Sequence, residues 1–209
     1  MDRTGWAVGC AAVVLLVCGC AASSPVADRV TPAPRSPAPQ ALELGKGDLP
    51  LTAGEFSSPP GFVPSVRFTV GPGWNSVHRY PDAFDVGRPD PEADRPLVLV
   101  AVSTPAQGDA AAALDAVAAA QPDADVKAGE VTLLGLAAHR LDVVGGTGPA
   151  YRSRDGGIAL DAAAGPRLRF LAVDTDDGVL VVTVLVAEGA SATAGLAAAD
   201  AVVSSLRAT

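Results

Sequence analysis

Four arginines carry the side-chain chemistry that would best hold a ligand. Arg167 and Arg169 stand two residues apart in a run predicted to be a strand, so their side chains fall on one face of it. Arg152 and Arg154 follow Tyr151, just after the glycine-rich segment Gly145-Gly146-Thr147-Gly148-Pro149. Guanidinium groups form bidentate pairs with carboxylates and phosphates, so the four together would clamp an anion. The plainer alternative is a solvated sheet face on which Asp155, Asp161 and Asp174 balance the charge.

Other residue types offer less. His78 and His139 are the two histidines, and neither has a His, Cys or carboxylate at zinc-type spacing, so both read as surface or strand-edge residues. Asp174-Thr175-Asp176-Asp177-Gly178 starts like a calcium loop, but position twelve falls on Leu185 inside a strand, and a hairpin turn fits better. Asp90, Glu92 and Asp94 sit in a Pro-containing loop, where carboxylates usually face solvent. The nucleophile elbow, the phosphate-binding loop and the dinucleotide fingerprint do not occur, so hydrolase, P-loop and dinucleotide readings lack support and no cofactor is implied.

The cysteines point to an attachment. Trp6 to Cys20 is an uncharged apolar run, shorter than the ~20 residues a membrane-spanning helix needs, and it reads as a signal-peptide core. Its end, Val17-Cys18-Gly19-Cys20, resembles a bacterial lipobox: an aliphatic residue, two small residues and a Cys, followed by a Ser/Ala/Pro-rich stretch. The resemblance implies diacylglyceryl transfer to the Cys20 thiolate, cleavage after the small Gly19, and acylation of the new amino group. Cys18 fits that role poorly, since bulky Val17 would occupy the cleavage position, and Cys10 comes too early to leave a useful apolar core. Ordinary signal cleavage near Ala21-Ala22 and an uncleaved anchor are the alternatives. Lipidation would leave one cysteine, as a thioether, so neither a disulfide nor a Cys-based metal site would remain. Two or three acyl chains hold a protein stably where one does so marginally.

From residue 20 to residue 50 the chain reads as a tether, with Pro25, Pro32, Pro34, Pro37 and Pro39 too closely spaced for a helix or a central strand. Extended at ~3.1 Å per residue, the 28 residues from Ala21 to Asp48 would reach roughly 80 to 90 Å at most. It reads as a spacer rather than as a ligand for an SH3-like partner. The expected organisation is a signal peptide over 1–19, a lipidated tether over 20–50 and one domain over 51–209. The charges before residue 51 cancel, which leaves the formal net charge of −8 on that domain. An acidic balance argues against a nucleic-acid binder, because phosphate binding needs a clustered basic face. Thirteen arginines against Lys46 and Lys127, with abundant Ala, Gly, Pro, Val and Asp, point to a high-GC bacterium.

Within the domain, alternation predicts a strand at Val66–Val70, then Gly71-Pro72-Gly73-Trp74 as a turn and short β pieces at 76–80 and 83–87. Leu97–Ser103 is an unbroken apolar strand, to be covered on both faces. Asp109 caps a helix to about Gln121 with Ala110, Leu114, Val117 and Ala118 inward. A hairpin turns at Gly135, and another joins Arg167–Thr175 to Val179–Glu188. Ser191 caps a last helix with Leu196, Ala199, Val203 and Leu206 on one face, in spite of Gly195. The expected fold class is α+β, a mainly antiparallel sheet covered by two helices.

With its lipobox, Pro-rich tether, Gly-Pro-Gly-Trp turn, Ala-rich middle helix, terminal hairpin and closing Ser204-Ser205-Leu206-Arg207, the chain resembles small actinobacterial lipoproteins with a Mog1/PsbP-like layered sandwich. The resemblance implies accessory and binding roles and brings no catalytic residues. The function expected is that of a non-catalytic lipoprotein on the outer face of the cell membrane, anchored through Cys20, whose domain binds an envelope protein. The alternative is a carrier or sensor of a small apolar or amphipathic ligand, held between sheet and helix near Trp74 and Phe170.

Overall fold

The computed structural model describes residues 38–89, 96–105, 108–145, 149–152, 159–161, 167–187 and 192–209, giving backbone pairing alone for 149–152 and 159–161. These residues belong to one compact unit, Pro37–Thr209. Its elements in chain order are β1 (Gln40–Ala41), β2 (Gly45–Leu51), β3 (Gly54–Ser57), β4 (Val66–Val70), β5 (Trp74–Arg79), β6 (Ala83–Pro89) and β7 (Pro96–Ser103). There follow α1 (Ala110–Ala119), β8 (Asp125–Leu133), β9 (Leu136–Val144), β10 (Pro149–Arg152), β11 (Ala159–Asp161), β12 (Arg167–Thr175), β13 (Gly178–Val186), α2 (Ala192–Ser205) and β14 (Arg207–Ala208).

Eight strands form one antiparallel sheet in the order β2-β5-β6-β7-β13-β12-β9-β8. The order explains the composition of β7 and β13. Both are central, and Val98 to Val102 and Val179 to Val184 are buried from either side. One face carries α1, where Ala110 and Leu114 pack on Leu141, Val143, Leu168 and Phe170. Asp109 caps that helix, its carboxylate accepting from the Ala112 amide at 2.8 Å. Asp174 of β12 accepts from the Ala110 amide at 2.9 Å, so the carboxylate that opens the calcium-like sequence is a second cap on α1.

The opposite face corrects the expected fold class. A second sheet, β1-β3-β4-β14, shares it with α2, so the architecture is mostly β and is not an α+β sheet covered by two helices, nor a Mog1/PsbP-like sandwich. Dimensions give the reason. Eight strands at ~4.8 Å spacing span roughly 34 Å, whereas helices of 10 and 14 residues are about 15 and 21 Å long and some 10 Å wide. Phe56 and Phe68 of the small sheet close the gap, with Phe68 stacked on Phe84 of the large sheet at 5.4 Å and Phe62 edge-on to the same ring at 5.1 Å.

β1 and all but the last residue of β2 lie inside the stretch expected to be tether. β1 pairs with β3 and β2 with β5. Arg79, 7% exposed, donates to the carbonyls of Glu43, Gly47 and Ser76 at 2.7 to 3.0 Å, which fastens the irregular β2 edge. At the other terminus β14 pairs with β4, closing the small sheet. Gly195 faces the large sheet; a Cβ there would stand 3.1 Å from Val186 Cγ1, so the residue that weakens α2 locally lets it approach closely.

Candidate functional site

The sheet register assembles the site row by row. Arg167 lies between Val144 of β9 and Val186 of β13, Arg169 between Asp142 and Val184, and Leu171 between Arg140 and Val182. Strand alternation puts these rows on the face that α2 covers. Arg167 and Arg169 therefore share a face, as their spacing predicts.

Their partners differ from those the sequence suggested. Arg169 Nε donates to Asp142 at 2.9 Å, and Arg169 Nη1 to Asp200 of α2 at 2.8 Å, which ties sheet to helix. Arg140 also pairs with Asp142. Burial alone would raise the Asp142 pKa, but the hydrogen bonds from Arg140 and Arg169, and then their charges, outweigh it and hold the carboxyl below its usual range. Asp174 balances neither arginine, since it caps α1. Arg167 is exposed and has no ion-pair partner among the described residues.

Beside this ladder is a groove of about 470 Å³ between the β9-β12 surface and the start of α2. Arg140, Asp142, Arg167 and Arg169 supply its charged lining, and Val144, Val186, Ala192 and Leu196 much of its apolar lining. Val144 is 43% exposed. Three arginines against Asp142 and Asp200 leave one excess positive charge here, on a chain of formal net charge −8. The volume falls within the ~300–1,000 Å³ of small-molecule sites.

The remaining candidates fall elsewhere. Cys20, Arg154, Asp155 and the Asp90–Asp94 loop lie outside the described residues, and Arg152 ends β10 with only its backbone pairing described. Trp74 and Phe170 belong to separate clusters, on the α2 side and the α1 side of the large sheet, so they do not share a pocket. His139 is exposed. His78 has a partner that the sequence reading missed: Asp85, 1% exposed, lies 2.6 Å from its Nδ1 and accepts the amides of Val77 (2.8 Å) and His78 (3.1 Å). Those bonds fill the register shift between β5 and β6, which makes the pair a support of the fold. Asp82 nearby is 7% exposed, with both carboxylate oxygens lacking a hydrogen-bond partner among the described residues.

Arg140, Asp142 and Asp200 also escaped the sequence reading. The alternation in Arg140-Leu141-Asp142 marked two charges on one strand face, but nothing local placed Asp200, 31 residues from Arg169, beside them.

No family model matches the chain, and no curated protein matches it. A crystal structure of a protein from Bacteroides thetaiotaomicron is similar at 16% identity with a TM-score of 0.43, over 76% of this chain and 49% of that one. The chain thus spans about half the length of that protein, and likeness at this level carries no argument on function.

Proposed function

We propose that the chain is a bacterial cell-envelope lipoprotein, anchored through Cys20 on the outer face of the cell membrane, whose non-catalytic domain is a binding module working through the groove between α2 and β9-β12. Val17-Cys18-Gly19-Cys20 and the Pro-rich stretch after it support the anchor. The observation that carries the binding role is Arg167, an exposed cation at an apolar-lined groove where its neighbours Arg140 and Arg169 are already paired. Charge-assisted bonds to such a group are about twice as strong as neutral ones, which favours an anionic ligand or partner.

The anchor is tested by Cys20→Ala, which yields a soluble or unprocessed species without incorporated fatty acid; a variant that still fractionates with membranes and takes up label sinks the anchor. The groove is tested with an environment-sensitive fluorophore on Thr193→Cys, a lining position at the exposed start of α2. Envelope extract shifts its emission, and Arg167→Ala removes the shift. A silent probe sinks the groove.

A further inference from the structure

We infer that the groove holds a single-chain amphiphile with one carboxylate or phosphate head, the head at Arg167 and the apolar part on Val144, Val186 and Leu196. This rests on the binding-module reading and narrows its ligand. Charge sets the head: among the described residues the paired groups cancel down to one positive charge, at Arg167, which attracts a carboxylate or phosphate and repels a cation. The ladder sets the length. The Arg169–Asp200 bond crosses from sheet to helix one turn beyond Leu196 and bridges the groove between the Arg167 row and Arg140, an arrangement that suits a short chain better than an extended peptide running through. Register sets the apolar part, because Val144, 43% exposed, flanks Arg167 in the same row and gives a chain attached to the head a surface to cover, while Val186, which is buried, flanks it on the other side.

The test titrates the full chain, held in phosphatidylcholine nanodiscs, with octanoate, octyl phosphate and octylammonium, subtracting the heat of empty discs. At least one of the two anions binds saturably at one per chain, octylammonium does not, and Arg167→Ala weakens binding tenfold or more while Arg167→Lys retains part of it. Equal affinity for octylammonium, an Arg167→Ala effect within twofold, or no saturable heat from either anion overturns the inference. Discs containing phosphatidylglycerol leave the anion affinity unchanged if the ligand arrives free; suppression would assign the groove to membrane lipid and overturn the free amphiphile. The Thr193→Cys fluorophore separates the two levels of reading. A response to envelope protein without one to octanoate overturns the amphiphile and keeps the binding module, and silence to both removes both.

Discussion

Two charged clusters of this domain are built from the same residue types and are used differently. Around β5 and β6, Asp85 accepts two backbone amides and pairs with His78, while Arg79 donates to three carbonyls. Every bond there closes on the fold itself. Around β9, β12 and α2, Asp142 and Asp200 hold Arg140 and Arg169, and Arg167 stays exposed beside a groove. Burial explains the contrast: Asp85 is 1% exposed and must be satisfied locally, whereas the ladder is open enough to leave a charge to solvent. The lesson is that perturbed or paired charges do not mark a binding site unless one of them is left over next to a cavity.

Mutations at the two clusters should separate stability from binding. Asp85→Ala has the largest expected effect: it strands two amides and an imidazole and costs about 3 to 5 kcal/mol in urea unfolding at pH 7. A loss under 1 kcal/mol would erase the distinction between the clusters. Arg169→Ala comes next, at about 1 to 2 kcal/mol, because it frees α2 from the sheet and leaves Asp142 with Arg140 alone. The pH dependence follows from the lowered Asp142 pKa. The stability it contributes is fully present above the carboxylate range of the unfolded chain and is lost as pH falls through the lower folded value. Asp142→Asn should therefore flatten the acid limb of stability, read as the difference in urea midpoint between neutral and acid pH; an unchanged limb contradicts the ladder.

A fourth variant sharpens the fold-supporting side. Asp82 is three residues from Asp85 and also buried, at 7% exposed, yet its carboxylate has no hydrogen-bond partner among the described residues. Asp82→Asn replaces a buried carboxylate that no described residue satisfies and should raise stability by about 0.5 to 1 kcal/mol. A fall in Tm would show that the carboxylate is in use.

Local signals made most of the large sheet readable, its β2 edge excepted, and left the small sheet hidden. The β12-β13 hairpin, α1 with its Asp109 cap and the inward stripe Ala110/Leu114 all follow from neighbours within a few residues. The small sheet does not. β1 and β14 have two residues each, β1 follows a run of prolines, and β14 must find β4 some 140 residues back in the chain. Without those strands the two helices are the only visible cover for the large sheet, which is why the expected layering fails. The site divides in the same way. The shared face of Arg167 and Arg169 is a two-residue periodicity, but Asp142 and Asp200 reach Arg169 from 27 and 31 residues away, through tertiary packing alone. Gly195 is a further case, since its helix penalty is visible in sequence and its contact with Val186 is not.

Arg167→Ala should do the least to the fold and the most to the function. The side chain is exposed and without an ion-pair partner among the described residues, so the expected change in stability is within about 0.5 kcal/mol. The decisive measurement is the ligand-induced shift in Tm of the parent and of Arg167→Ala. At an octanoate or octyl phosphate concentration near 100 times its Kd, binding adds about 2.7 kcal/mol. For a domain of this size that raises the parent Tm by roughly 5 to 10 °C. Arg167→Ala should begin at the parent Tm and, with binding weakened tenfold or more, lose about half of that rise or more. A variant that melts lower without ligand yet keeps the full rise would place Arg167 with the fold-supporting charges and contradict the groove as the binding site.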